Sequence, residues 1–511
     1  MNLELDGSPL PLETVAAVAA GDVSVSLASV AAANMERSRT VIRQALEAGT
    51  TVYGVTTGFG ALASTRIEES DSAALQVGLL RSHATGVGEP VSDELVRSML
   101  VLRARTLAQG HSGVRPLVVE RILDLLNRDL LPVVPGRGSV GASGDLAPFA
   151  HLMLPLIGEG DVRVDGDVIP AGDALAAAGI DPIVLEPKEG LSLLNGTEGM
   201  LAFGALGLSK LRTLAMVADI ACAMSVEALM GSSRPFDSRI HELRPHPGQM
   251  ASARNIAALL SGSEIEASHH DDFVHAVQDA YSLRCAPQVH GAVRDVIAYA
   301  DAVFSREAGA VVDNPIVFPD TGEVVSGGNF HGQPLAFALD FLAIGATELA
   351  SISERRIDRI LDPDRSSGLP AFLARRPGLE SGYMLTQYTA AALVGEARVL
   401  SHPASVESIP TSGSQEDHVS MGWGAGRKLH DVLDLAVRVI AIELMCAAEG
   451  VEHRAPLQPG AGVAAARDRL RQVVAPLRED RVLGGDIEAT ARLVESGDLE
   501  AAVAGVARPL I

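Results

Sequence analysis

A mainly α-helical fold, a bundle of long helices with a mixed, loop-rich N-terminal part, is the class this sequence predicts. Three observations carry that prediction. Of 511 residues, 47% are hydrophobic but only 3% aromatic, so the core is built from small aliphatic side chains, which suit closely packed helices. Apolar residues recur at helical spacing in three long runs of the C-terminal part. The β-flavoured stretches, by contrast, are short and lie among turns nearer the N-terminus.

In chain order, residues 1–60 read as short elements around turns, ending in the glycine-rich Tyr53–Gly60. A helical stretch follows at roughly 70–130, interrupted by the segment from His83 to Gly88. Leu130–Pro135 and the small-residue run Gly136–His151 come next, and 160–190 predicts a small hairpin with loops. From about 190 the pattern changes. Gly199–Met230 is apolar over more than thirty residues, but Lys210, Arg212, Asp219 and Glu227 interrupt it, which fits a buried bundle helix better than a membrane span. Leu335–Leu361, followed by Pro363, and His430–Ala448 repeat the pattern. The predicted division is an N-terminal domain over 1–195 that carries an Ala-Ser-Gly loop, and a long-helix bundle over 196–511.

Charge and cysteine content exclude several classes. Lys and Arg number 41 against 64 Asp and Glu, a formal charge of −23, which argues against a nucleic-acid partner held by clustered cations. Cys222, Cys285 and Cys446 are odd in number and far apart, so neither a disulfide framework nor a cysteine zinc site is expected. The first residues are acidic and proline-broken, unlike a signal peptide. A cytoplasmic protein with reduced thiols and no membrane partner is the expectation.

Gly136–Gly141 matches G-x-G-x-x-G, but Pro132 and Pro135 interrupt the supposed strand and no helix opens at Gly141. Dinucleotide binding is therefore poorly supported. On local composition the next three residues read as a flexible loop of small residues, but a second reading exists. Small neighbours around Ser143 would let the Gly144 amide nitrogen reach the Ala142 carbonyl carbon, because glycine has no Cβ to block the approach. Ring closure and two dehydrations would then give a methylidene-imidazolone electrophile. Asp145 and the following residues read as a helix start whose dipole would polarise it.

GSVGASGDLAPFAH (Gly138–His151) resembles the signature of the ammonia-lyases and aminomutases that make methylidene-imidazolone from Ala-Ser-Gly. Further resemblance lies in YGVTTGFG (Tyr53–Gly60), LLNGTEG (Leu193–Gly199), QDAYSLRCAPQVHG (Gln278–Gly291), DNPIVF (Asp313–Phe318), SGGNFHG (Ser326–Gly332) and QEDHVSMG (Gln415–Gly422). The similarity covers nearly the whole chain. His83 and Glu416 look like the histidine branch, since a carboxylate accepts an imidazole N–H and finds no such partner on a phenyl ring. Departures are Phe330–Gln333 (FHGQ, where FHAE is common in histidine enzymes) and Glu198, where Gln or Asp is frequent.

The resemblance implies roles. Ala142, Ser143 and Gly144 supply the prosthetic group with no external cofactor or metal, Tyr53 is the general base on a lid loop, and Tyr281 assists proton traffic. Arg284 pairs with the substrate carboxylate, Asn195 bonds that carboxylate or the electrophile's oxygen, and Gln278 and Phe330 line the group. It also implies a homotetramer with sites shared between subunits. The expected reaction is L-histidine to trans-urocanate and ammonia, with tyrosine or phenylalanine ammonia-lyase or aminomutase as alternatives. Pyridoxal phosphate chemistry has only Lys188, Lys210 and Lys428 to use. A metal hydrolase would need His269–Asp272 or Glu416-Asp417-His418, neither of which has a familiar ligand spacing.

Overall fold

The computed structural model describes residues 2–68, 71–269, 278–507 and 510, and among these it contains twenty α-helices and only short strands. Two compact units divide the chain. One comprises Met1–Leu206, Ala300–Asp340 and Pro403–Arg427; the other comprises Gly207–Tyr299, Phe341–His402 and Lys428–Ile511. The single cut expected after residue 195 is thus replaced by an interleaved division. Each boundary but the one at 402/403 falls inside a long helix: Glu198–Ala228, Ala286–Glu307, Gln333–Leu361 or Gly422–Glu452.

Among the described residues, the strands all lie in the first unit. Pro135–Arg137 pairs antiparallel with Val87–Pro90, and Leu131–Pro132 pairs antiparallel with Asp161–Val164. Neither pairing is the parallel strand that a dinucleotide fold needs, so the glycine fingerprint at 136–141 has no such context. The expected hairpin is present as Asp161–Val164 against Asp167–Pro170, turned by Asp165 and Gly166, both at positive φ. Ser92 caps the helix Asp93–Ala108 by accepting from the Leu95 N–H, and nearly every residue of that helix from Leu95 onward is buried.

The helix start expected at Asp145 is also present, as Leu146–Met153. Asp145 does not cap it with its side chain. Its carboxylate instead accepts from Ser139 Oγ at 2.9 Å and from the Met200 N–H at 2.9 Å. Those two bonds tie the loop ahead of the helix to the start of Glu198–Ala228.

Two helices pass beyond what the pattern predicted. Gly422–Glu452 begins eight residues before the expected His430, across glycines that read as breakers. A Cβ on Gly426 would stand 2.7 Å from Phe203 Cβ, and one on Gly422 would stand 2.3 Å from Met200 Sδ. These glycines permit close packing within the first unit, and the helix runs through them. Ser29–Glu47 was expected only as short elements; its buried stripe, Ala31, Met35, Ser38, Val41 and Ile42, contains a serine that donates back to the Met35 carbonyl.

Glu198–Ala228 and Gln333–Leu361 are long and apolar enough to cross a membrane by length and composition, yet 67% and 72% of their most apolar windows are buried. Core helices of a bundle have the same composition. In the second unit, two ion pairs are buried. Arg356 reaches Glu443 at 2.5 and 2.9 Å, and His290 Nδ1 meets Asp219 at 2.8 Å.

Candidate active site

The loop Gly141–Gly144 is held by backbone. Gly141 and Gly144 lie at φ +69° and +71°, a region that L side chains avoid. A Cβ on Gly144 would stand 2.0 Å from the Gly196 carbonyl oxygen, and the Asp145 N–H donates to that oxygen at 2.9 Å. Ala142 is buried and Ser143 half-buried. The loop is therefore pressed against the turn that follows Asn195, with Ser143 turned toward open space.

That space is a cavity of about 490 Å³, within the range of small-molecule sites. Tyr53, His83, Ser143, Asn195, Phe330 and Glu416 all line it, and so does an apolar wall that includes Leu79, Leu146, Leu191 and Leu194. Six residues singled out in the sequence thus converge from segments more than 360 positions apart. A second recess, of about 300 Å³, shares Tyr53, Ser143, Phe330 and Glu416 and adds Ala142.

Several polar groups of the cavity have hydrogen-bond partners. The Tyr53 phenol oxygen accepts from the Gly60 N–H at 3.0 Å, and its ring meets Phe59 edge-on. His83 Nδ1 lies 2.9 Å from the Leu79 carbonyl. A carbonyl only accepts, so Nδ1 carries the proton in that contact and Nε2 is left as the acceptor. Burial lowers the His83 pKa, opposed by the Leu79 bond and the Glu416 charge, which favours the neutral ring. Asn195 is 2% exposed. Its Nδ2 donates to the Asn314 carbonyl at 3.0 Å, while Oδ1 is buried without a hydrogen-bond partner. An orphaned buried acceptor at a cavity wall is a place for a ligand's donor.

Glu416 carries the charge. Its Oε2 accepts from Thr411 Oγ1 at 2.8 Å, and Oε1 lies 3.4 Å from Ser143 Oγ. Asp145, behind the loop, is fully buried, and burial pushes its carboxyl up to about 7 against the two hydrogen bonds it accepts.

Gln278, Tyr281 and Arg284 belong to the second unit and are not among the residues lining the cavity. Tyr281 is 70% exposed, and the Arg284 guanidinium lies over its ring at 4.5 Å while Nε donates to the Asp279 carbonyl. Gln278 is exposed.

Of the lysines considered for a Schiff base, Lys188 is fully buried against Asp313 at 3.0 Å and Lys210 bridges Asp434 and Glu495. Lys428 donates to the His402 carbonyl. For a metal, residues 270–272 lie outside the described residues. His418 stacks on His331, and among the described residues there is no cluster of three or more metal-ligating side chains.

Sequence reasoning missed Thr411, Ser412 and Asn314. A threonine five residues before a glutamate carries no periodic signal, and the pairing appears only once the chain turns back on itself.

A family model for aromatic amino acid lyases matches residues 10–472. The chain belongs to the aromatic amino acid lyase family. Within it, a histidine ammonia-lyase of Gloeobacter violaceus is 53% identical over 501 residues, covering 98% of this chain and 97% of the relative. Histidine ammonia-lyase from Trypanosoma cruzi superposes with a TM-score of 0.91 at 41% identity, covering 99% and 96% of the two chains. A tyrosine aminomutase from Streptomyces globisporus superposes at 0.94 with 37% identity, covering 99% of each. The fold is thus common to lyases and aminomutases of this family, and fold alone does not fix the substrate.

Proposed function

We propose that this chain eliminates ammonia from L-histidine to give trans-urocanate, using a methylidene-imidazolone built from Ala142, Ser143 and Gly144. The observation that carries the substrate reading is Glu416, a carboxylate on the wall of a largely apolar cavity beside a neutral His83. Both groups present acceptors, and the imidazole of histidine is a donor; a phenyl ring leaves them unpaired at the cost of their desolvation. Relatives named histidine ammonia-lyase over nearly the full chain support the same substrate.

The loop geometry fits the prosthetic group. Positive φ at Gly144 and its close approach to Gly196 hold the backbone in a bent conformation, and Asn195 offers an unpartnered oxygen and a second amide hydrogen nearby. When formed, the group supplies an electrophile that makes the amine a leaving group, by bonding to the amine or to the ring.

The chain's own side chains do the rest. Tyr53, its phenol oxygen oriented by the Gly60 N–H, takes the β-proton. Glu416 and His83 orient the imidazole. Leu79, Leu191 and Leu194 exclude water from the side-chain end. Arg284 holds the substrate carboxylate with its planar fork, and Tyr281 and Gln278 complete the site. The exposure of Tyr281 supports a homotetramer in which sites combine residues of different copies. Three free cysteines support a reducing compartment, the cytoplasm.

A panel of L-histidine, L-tyrosine and L-phenylalanine, followed by ultraviolet absorption of the unsaturated acids and by analysis for β-amino acids, tests this. Urocanate as the dominant product is expected. Preference for tyrosine overturns the Glu416 argument, and β-amino acid product overturns the lyase assignment.

A further inference from the structure

Glu416 is not a free carboxylate on a loop. Thr411 and Glu416 form an antiparallel bridge, with the Thr411 N–H donating to the Glu416 carbonyl at 2.9 Å and the Glu416 N–H returning to the Thr411 carbonyl at 3.3 Å. Between them, Ser412, Gly413 and Ser414 all lie at positive φ, between +50° and +67°. Two serines in that region persist only where the surroundings impose the conformation. One such constraint is visible. Ser412 Oγ accepts from the Ala61 N–H at 3.2 Å, and a Cβ on Gly60 would stand 2.3 Å from it. The loop is thereby seated on the turn whose Gly60 N–H orients Tyr53.

On this platform the Thr411 hydroxyl meets Glu416 Oε2 at 2.8 Å. Oε1 is directed toward Ser143 Oγ, at 3.4 Å. Dehydration of Ser143 removes that oxygen, and Oε1 then faces the cavity as an acceptor.

Resting on the histidine reading above, we propose that Thr411 is a positioning residue for substrate selectivity: its hydroxyl fixes Glu416 Oε2 so that Oε1 points at the imidazole N–H. The bond is charge-assisted, and it selects one carboxylate rotamer out of several. Without it the carboxylate turns, and the cost falls on binding of the substrate ring.

The test compares Thr411→Val, which keeps the β-branch and the backbone bridge, with Thr411→Ser, which keeps the hydroxyl. KM and kcat are measured for L-histidine and L-phenylalanine, and intact mass records loop cyclisation in each variant. Thr411→Val is expected to raise KM for histidine about tenfold, with the histidine-to-phenylalanine ratio of kcat/KM falling alongside. Thr411→Ser is expected to restore both to within about threefold. Unchanged KM in Thr411→Val, or equal impairment in Thr411→Ser, overturns the proposal. If valine prevents folding, Thr411→Ala replaces it, and unchanged KM there overturns the proposal equally. A parent enzyme that ignores histidine overturns the substrate reading itself, which is a separate outcome because it is read before any variant.

Discussion

Gly144 approaches Gly196 so closely that a single methyl group on Gly144 would stand 2.0 Å from the Gly196 carbonyl oxygen. The same oxygen accepts the Asp145 N–H. The cyclising tripeptide is thus braced from behind by the strand-like turn that also presents Asn195 to the cavity, and the positive φ of Gly144 adds to the demand for glycine.

Gly144→Ala therefore combines a backbone clash with a disfavoured φ, and neither is relieved by moving a flexible side chain. We expect destabilisation of at least about 3 kcal/mol together with loss of cyclisation. Thermal melting and intact mass measure the two effects separately.

Ser143→Ala leaves this bracing untouched, since only the hydroxyl is removed from a half-buried side chain. Turnover is expected to vanish while circular dichroism and melting stay close to those of the parent. Full activity in this variant refutes the catalytic assignment of the loop.

Glu416→Gln is nearly isosteric but reverses a hydrogen-bond direction. Thr411 Oγ1 donates to one carboxylate oxygen. An amide placed there keeps its oxygen toward the hydroxyl and turns its NH2 group toward the cavity, where it opposes the imidazole N–H. We expect kcat/KM for histidine to fall by about 100-fold, with a smaller loss for phenylalanine. Steady-state kinetics on both substrates decides, and an unchanged histidine rate removes the role given to Glu416.

Glu227, in the helix bundle, gives a pH-dependent prediction. Burial pushes its carboxyl up to about 7 from 4.5, opposed by hydrogen bonds from the Gly460 N–H and Ser263. Between those values the folded chain keeps a proton that the unfolded chain releases, so this group's contribution to stability falls as pH rises through that window. Glu227→Gln keeps the acceptor for Gly460 and removes the buried charge. Its melting midpoint is expected to match the parent near pH 5 and to exceed it near pH 8. Equal midpoints at both pH values contradict the assignment.

Much of this was legible from residue order, and the limits are physical. Asp145 as a helix start, the hairpin turned at Asp165 and Gly166, and the gathering of Tyr53, His83, Asn195, Phe330 and Glu416 around Ser143 all follow from local chemistry or from motifs. The helix Ser29–Glu47 was hidden because Ser38 interrupts its buried stripe and satisfies its hydroxyl within the helix. The early start of Gly422–Glu452 was hidden because glycine reads as a breaker unless its packing partner, Phe203, is known. The interleaved division of the chain depends on contacts between distant segments, which no single window contains. Gln278, Tyr281 and Arg284 were named from one motif, and nothing in a motif tells which unit of the fold will carry it.

The proposed activity depends on Ala142, Ser143 and Gly144 condensing without outside help. Intact mass spectrometry of the purified, active protein tests it most directly. A mass lower than the sequence mass by two water molecules is expected, with the deficit localised by digestion to the peptide containing Ser143. Full sequence mass in fully active enzyme would contradict it.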